Sequence, residues 1–201
     1  MFSHARGPLH DFLASLGRDN SDCGQGSALS HLVDHGVIGS NCIIAHLNYL
    51  QDYDYELVAA SGASVVHCPK CHAYFGHAPF PMKALQACGV NVCLGTDSLA
   101  SVCKARGQTV ELNLFEEMRA LAGNEPALSA RKIVRMATLN GALALGMGGQ
   151  IGELAKGAFA DLVALPFAGK IADIYDGILH HQGDVAASMI DGQWAVSPEP
   201  S

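Results

Sequence analysis

Three apolar runs in this 201-residue chain end on side chains that can bind a metal ion or move a proton. Cys42-Ile43-Ile44-Ala45 stops at His46, Ser64-Val65-Val66 stops at His67, and Val90-Asn91-Val92-Cys93-Leu94-Gly95-Thr96 stops at Asp97, with Ser98 following. Neutral imidazole is the commonest metal ligand among side chains, and a carboxylate beside a cation can both ligate it and relay a proton. Each residue also has an ordinary reading. A lone His on an apolar segment is more often a satisfied core residue, and an Asp just past a strand more often caps a turn or a helix. The chemical reading gains weight from repetition, because three successive runs finish the same way.

The runs are short, apolar and without alternation, as strands buried on both faces are. Helical patterns separate them. Gly7-Pro8 opens a helix with Leu9, Phe12, Leu13 and Leu16 on one face, and Ser27 caps a second whose His31 and His35 face solvent. Asp52 or Asp54 begins a third that carries Leu57 and Val58 and ends at Gly62, and a fourth carries Met82, Leu85 and Cys88. The stretch 68–79 between the second run and the fourth helix reads as a polar, aromatic loop. Parallel strands joined by right-handed helical crossovers point their carboxyl ends one way, so His46, His67 and Asp97 are expected on a common rim, with Gly95 allowing close backbone approach there. After a loop over 99–108, helices follow around Leu112–Leu121, from Ser129, and over 140–145.

From Gly146 the pattern changes to glycine-rich turns and β-type runs at 151–154, 160–165, 185–190 and 193–196, the last two joined by Asp191-Gly192, a strong hairpin signal. Two domains are therefore expected, 1–145 and 146–201, with a frayed tail after Val196.

Composition narrows the function classes. The chain is 49% hydrophobic, enough to bury a core, and only 15% charged, with a formal net charge of -7 that offers no basic stripe for nucleic acid. No run approaches a membrane span and the first residues lack the apolar core of a signal peptide, so a cytoplasmic protein is expected, binding neither membrane nor nucleic acid. The seven cysteines are expected to be reduced, several of them within apolar runs.

These pieces, in order, resemble the metal-dependent amidohydrolase superfamily, in particular its branch of cytosine, guanine and adenosyl-type deaminases and triazine chlorohydrolases. The matching segments are Ala45-His46 with Asn48 and Leu50, His67-Cys68-Pro69, Leu94-Gly95-Thr96-Asp97-Ser98, Glu117-Met118-Arg119, Ala137-Thr138-Leu139-Asn140-Gly141-Ala142, and Gly152-Glu153-Leu154 with Gly157 and Ala160-Asp161-Leu162-Val163. The resemblance implies an α/β fold: the last three strands and helices of a (β/α)8 TIM-type barrel over 1–145, then part of a composite β-sandwich. It implies a hydrolase of non-peptide C–N bonds, most simply an aminohydrolase of a purine-, pyrimidine- or triazine-like ring, using one divalent metal, Zn2+ or alternatively Fe2+. By the same resemblance Asp97 ligates the metal and carries the proton from the attacking water to the leaving amine. His46 is a second ligand that orients water or substrate, and His67, His72 and Ser98 are assigned to substrate.

Departures from the family pattern set further expectations. The His-x-His pair after the first strand and the later His followed by Ala or Ser and Glu have no counterpart here. With three of eight strands present, two sheet edges are exposed, most of the metal shell is missing and the chain alone is expected to be inactive. A truncated gene, a mis-assigned start or a complementing N-terminal half on another chain would each account for this. The partners implied are a small heterocyclic substrate and either that complementing half or a second copy of the chain. The alternative is a non-catalytic remnant or partner-binding scaffold of the same fold. Cys68-Pro69-Lys70-Cys71-His72 also matches the spacing for covalent haem attachment and, in its first four residues, a redox or zinc pair. With no export signal and no second Cys/His pair in evidence, this match reads as accidental. The segment is left as an active-site loop from which His67, His72 or His77 contacts substrate, which of the three being open.

Overall fold

The computed structural model describes residues 2–104, 107 and 110–199, so the expected loop over 99–108 and the tail after Val196 lie partly outside the described residues. In chain order, helix α1 (Pro8–Ser15) and helix α2 (Ala28–Asp34) precede strand β1 (Ile43–Ala45) and helix α3 (Asp54–Ser61). Strand β2 (Ser64–His67), helices α4 (Pro69–Tyr74) and α5 (Met82–Ala87) and strand β3 (Val92–Leu94) complete a parallel sheet in the order β1-β2-β3. Helices α6 (Leu114–Asn124), α7 (Ala130–Ala137) and α8 (Leu139–Ala144) come next. Strand β4 (Leu162–Ala164), helix α9 (Ile174–Leu179) and strands β5 (Ala187–Ile190) and β6 (Gln193–Val196) follow. The last three strands form one antiparallel sheet, β4-β5-β6, with no second sheet facing it among the described residues.

Local chemistry explains the boundaries. Ser27 Oγ accepts the Ser30 N–H at 2.9 Å to cap α2, and its hydroxyl donates to buried Asp54 at the start of α3. Gly62 ends α3 in the left-handed region at φ 71°, and Asn113 and Ser129 accept backbone N–H groups at the starts of α6 and α7. The Asn140 side chain donates to the Val92 carbonyl at 2.8 Å, tying α8 to β3. Val58, Val65, Leu85, Val92, Leu121 and Ile133 fill the core between sheet and helices, and Leu179 of α9 joins it.

The elements differ from the sequence reading in four places. Residues 69–74 of the expected loop are helical. Residues 151–154 form bends rather than a strand: Gly152, at φ 81°, passes so close to α8 that a Cβ there would lie 2.9 Å from the Thr138 carbonyl oxygen. Helix α9 carries no strong sequence signal and packs on α6 and α7. Helix α1 forms where expected but buries nothing, its Leu9, Phe12 and Leu16 remaining exposed. No helix among the described residues is long and apolar enough to cross a membrane.

Candidate metal centre at the strand ends

The sheet ladder carries the candidate residues to one edge. The His46 N–H donates to the Val66 carbonyl at 2.9 Å and the Gly95 N–H to the His67 carbonyl at 3.0 Å, so the chain leaves β1 and β3 on either side of the end of β2. Gly95 has to be glycine: a Cβ would sit 2.7 Å from Val66 Cγ1 and 3.3 Å from Cys68 Sγ. Beyond these anchors the backbone turns sharply, with His46, Leu47 and Tyr49 at φ 66°, 46° and 62° and Asp97 at 53°. Positive φ costs non-glycine residues energy, and such strain gathers where a fold must aim a side chain.

Two of the expected site residues come together. One ligand atom each of His46, Asp97 and a third residue, Cys71, lie within 4.8 Å of one another. Cys71 belongs to α4, which begins at Pro69 and is held at its amino end by the buried Glu117 carboxylate accepting the Lys70 N–H at 2.9 Å. The Lys70 ammonium pairs with the neighbouring Glu116. Ser101, in a 3-10 turn over Leu99–Ser101, donates its hydroxyl to Asp97 Oδ2 at 2.6 Å.

Electrostatics follow from these contacts. The Cys71 thiol and then the Ser101 hydroxyl, hydrogen-bonded to Asp97, hold its carboxyl below the usual range against a small opposing effect of burial, with His46 assisting. Burial pushes the Cys71 thiol up, as does its hydrogen bond to Asp97, and burial drives Cys68 to about 12, with Asp97 and Glu117 adding to it. Glu117 is raised by burial against the lowering effect of the Lys70 N–H.

The remaining expected residues flank this cluster. Ser98 is exposed, its carbonyl accepting the Ser101 N–H at 3.2 Å. His67 is 3% exposed and stacks on Phe80, with ring centroids 4.0 Å apart and planes at 14°. Burial holds it down to about 3, with repulsion from His72 and His46, and it is therefore neutral. His72 meets His67 edge-on at 5.2 Å, bonds the Ala78 carbonyl at 2.8 Å through Nε2, and is also lowered, mainly by burial. His77 shares a 3.0 Å hydrogen bond with the Tyr49 hydroxyl. The sequence reading missed Cys71, although the Cys-x-x-Cys-His spacing had marked it. It also missed Ser101, and it took Glu117 only as part of a family segment. Together the cluster offers nitrogen, sulfur and oxygen donors, the ligand types that zinc takes in proteins, so the residues present fit such an ion.

The chain is similar in sequence and in fold to known proteins. A 5-methylthioadenosine/S-adenosylhomocysteine deaminase of Syntrophobacter fumaroxidans is 35% identical over 178 residues, covering 82% of this chain and 39% of that protein. A 5'-deoxyadenosine deaminase of Methanosarcina mazei is 32% identical over 182 residues, covering 84% of this chain and 40% of its own length. The crystal structure of an adenosine deaminase from Xanthomonas campestris with bound zinc superposes with a TM-score of 0.76 at 28% identity, covering 97% of this chain and 44% of that one. The chain thus spans about two-fifths of the length of these relatives. The amidohydrolase family model matches residues 15–195, nearly the whole sequence, and the chain belongs to the amidohydrolase family.

Proposed function

We propose that the chain is the metal-bearing part of an aminohydrolase that cleaves a C–N bond of a heterocyclic substrate, with β1–β3 as the last three strands of a (β/α)8 barrel and β4–β6 as part of a β-sandwich. The observation that carries this reading is the convergence of His46 and Asp97 from the carboxyl ends of separate parallel strands. That rim is where barrel enzymes place their chemistry. The names of the relatives favour a purine nucleoside of the adenosine type among the purine-, pyrimidine- and triazine-like rings.

His46 and Asp97 would hold the divalent ion, zinc before iron. Such an ion supplies Lewis acidity and lowers the pKa of water toward neutrality. Asp97, its carboxylate held by the Ser101 hydroxyl at 2.6 Å, takes the proton from the attacking water and passes it to the departing amine. His46 orients the water or the substrate. Ser98 and His72 are assigned to substrate contacts, supported by the exposed position of the first and the partial exposure of the second. His67, buried and neutral, serves that side by fixing His72 and Phe80 rather than by exchanging a proton.

The test is zinc content and ammonia release from adenosine-type nucleosides by this chain fused behind the N-terminal part of the Syntrophobacter relative that it does not span. Both are expected in the fusion, and both should be lost when it carries Asp97→Asn. Full zinc and turnover in that variant would overturn the assignment.

A further inference from the structure

We propose that Cys71 is a thiolate ligand, so that this chain alone presents a three-donor His46–Cys71–Asp97 zinc site. The inference rests on reading the rim as a metal site, and it replaces the expectation that the metal shell depends on residues outside the chain.

Three observations carry it. The donor atoms of the three residues are mutually within 4.8 Å. In a tetrahedral zinc site with bonds of about 2.0–2.3 Å, donor atoms are roughly 3.3–3.8 Å apart, so closing the set takes side-chain adjustment rather than refolding. Second, Cys71 is 3% exposed yet its sulfur lies within 4.8 Å of an Asp97 carboxylate oxygen and a His46 ring nitrogen, so it faces the rim rather than being lost in the apolar core. Third, each donor is fixed by its own element: His46 by the ladder bond to Val66, Cys71 by a helix anchored through Glu117, and Asp97 by the Ser101 hydroxyl. Supporting contacts of this kind orient metal ligands. Three protein donors plus one open position describe a catalytic zinc site, and a Cys and a His are established members of such sets. Cys68 is buried as well, but Gly95 packs against its sulfur and it lies outside the donor set.

Binding is balanced by one proton: the neutral thiol loses its hydrogen to solvent as the sulfur–metal bond forms, since a coordinating thiol is deprotonated by the ion. No oxidant or second reactant takes part.

The experiment uses the chain as it exists, purified without metal under reducing conditions and titrated with Zn2+ and with Co2+. X-ray absorption of the zinc form is expected to show a sulfur shell at about 2.3 Å beside nitrogen and oxygen at about 2.0–2.2 Å. The cobalt form is expected to show sulfur-to-metal charge-transfer absorption in the near ultraviolet. Cys71→Ser should remove both signatures and weaken zinc binding roughly 100-fold, the upper end of what loss of a supporting residue alone costs a metal site. Exposed Cys103→Ser should keep them. A bound ion without sulfur overturns the thiolate assignment while leaving His46 and Asp97 as ligands. A sulfur signal that survives Cys71→Ser but not Cys68→Ser also overturns it. No binding of either ion by the chain alone overturns this inference and leaves the proposed function to the fusion experiment, where the N-terminal part can complete the shell. The wild-type sulfur shell needs no variant, so the inference stays falsifiable even if Cys71→Ser fails to fold.

Discussion

β1–β3 and β4–β6 are both sheets of three short strands, yet among the described residues the metal-capable cluster lies only at the first. In the parallel sheet β2 and β3 are buried almost throughout, while in the antiparallel sheet Val163, Ile190, Trp194 and Val196 are exposed. Connectivity makes the second difference. A crossover helix returns each new strand in the same direction and collects carboxyl ends on one rim, whereas a hairpin sends successive ends to opposite edges. A ligand set needs both a rigid backbone and convergence, and only the parallel sheet supplies the two together.

The largest expected effect tests that contrast in stability. Leu94→Ala in β3 removes a core side chain and should cost about 2–5 kcal/mol, while Ile190→Ala in β5, where the residue is 64% exposed, should stay within about 0.5 kcal/mol. Chemical denaturation of both variants checks it, and equal losses would erase the distinction between the sheets.

Acid should expose the same asymmetry. His67 in β2 titrates near 3 in the folded chain against about 6.5 when unfolded, while β4–β6 contain no ionisable side chain. The unfolded chain therefore binds more protons between these values. The stability that the neutral ring contributes is fully present above about pH 6.5 and is lost as the pH falls toward 3, by at most on the order of 5 kcal/mol. The nearby His72 and His46 rings add to burial in holding it neutral. His67→Asn should flatten this acid limb in denaturation midpoints measured from pH 7 to 4. An unchanged limb would show that the buried imidazole is not its source.

What could be read in the sequence follows the same division. The strands ending near His46, His67 and Asp97 were legible because doubly buried strands are unbroken apolar runs, and parallel topology then fixes the rim. Helix α4 was not, because its amino end is satisfied by Glu117, 47 positions beyond Lys70, rather than by a local capping residue. Cys71 was passed over with it, since spacing alone could not tell a ligand from a coincidence. Residues 151–154 looked like a strand because Ile151 and Leu154 are apolar, but Gly152 is there to pass α8. Helix α9, with Gly177 inside six residues, is held by packing on α6 and α7 that no local pattern announces.

Gly95→Ala sharpens the contrast at the rim itself. The added methyl meets Val66 Cγ1 at 2.7 Å in a closely packed parallel pair, and overpacking of this kind costs about 1–3 kcal/mol. Gly192→Ala in the hairpin finds no atom nearer than Ala160 Cβ at 3.9 Å, so its cost comes from its φ of 75° alone. Crystal structures of the two variants should show displaced side chains around residue 95 and none around residue 192.

The smallest effects concern positive φ, which the two regions use differently. In the β5–β6 hairpin, Asp191 and Gly192 at φ 47° and 75° adopt the conformation that a two-residue turn between right-twisted strands requires. Asp191→Ala should therefore cost about 1 kcal/mol, because alanine lacks the tolerance of Asp for the left-handed region. Tyr49 at φ 62° serves no hairpin: it is exposed, follows β1, and holds its conformation while its hydroxyl meets His77. Tyr49→Asn should relieve that strain and stabilise the chain by about 0.5–1 kcal/mol, the exposed hydrogen bond being worth less than the relief. Thermal denaturation of the pair gives shifts of opposite sign if the rim stores strain that the hairpin does not. A loss at both positions would mean that the segment after β1 is as well suited to its sequence as the turn is.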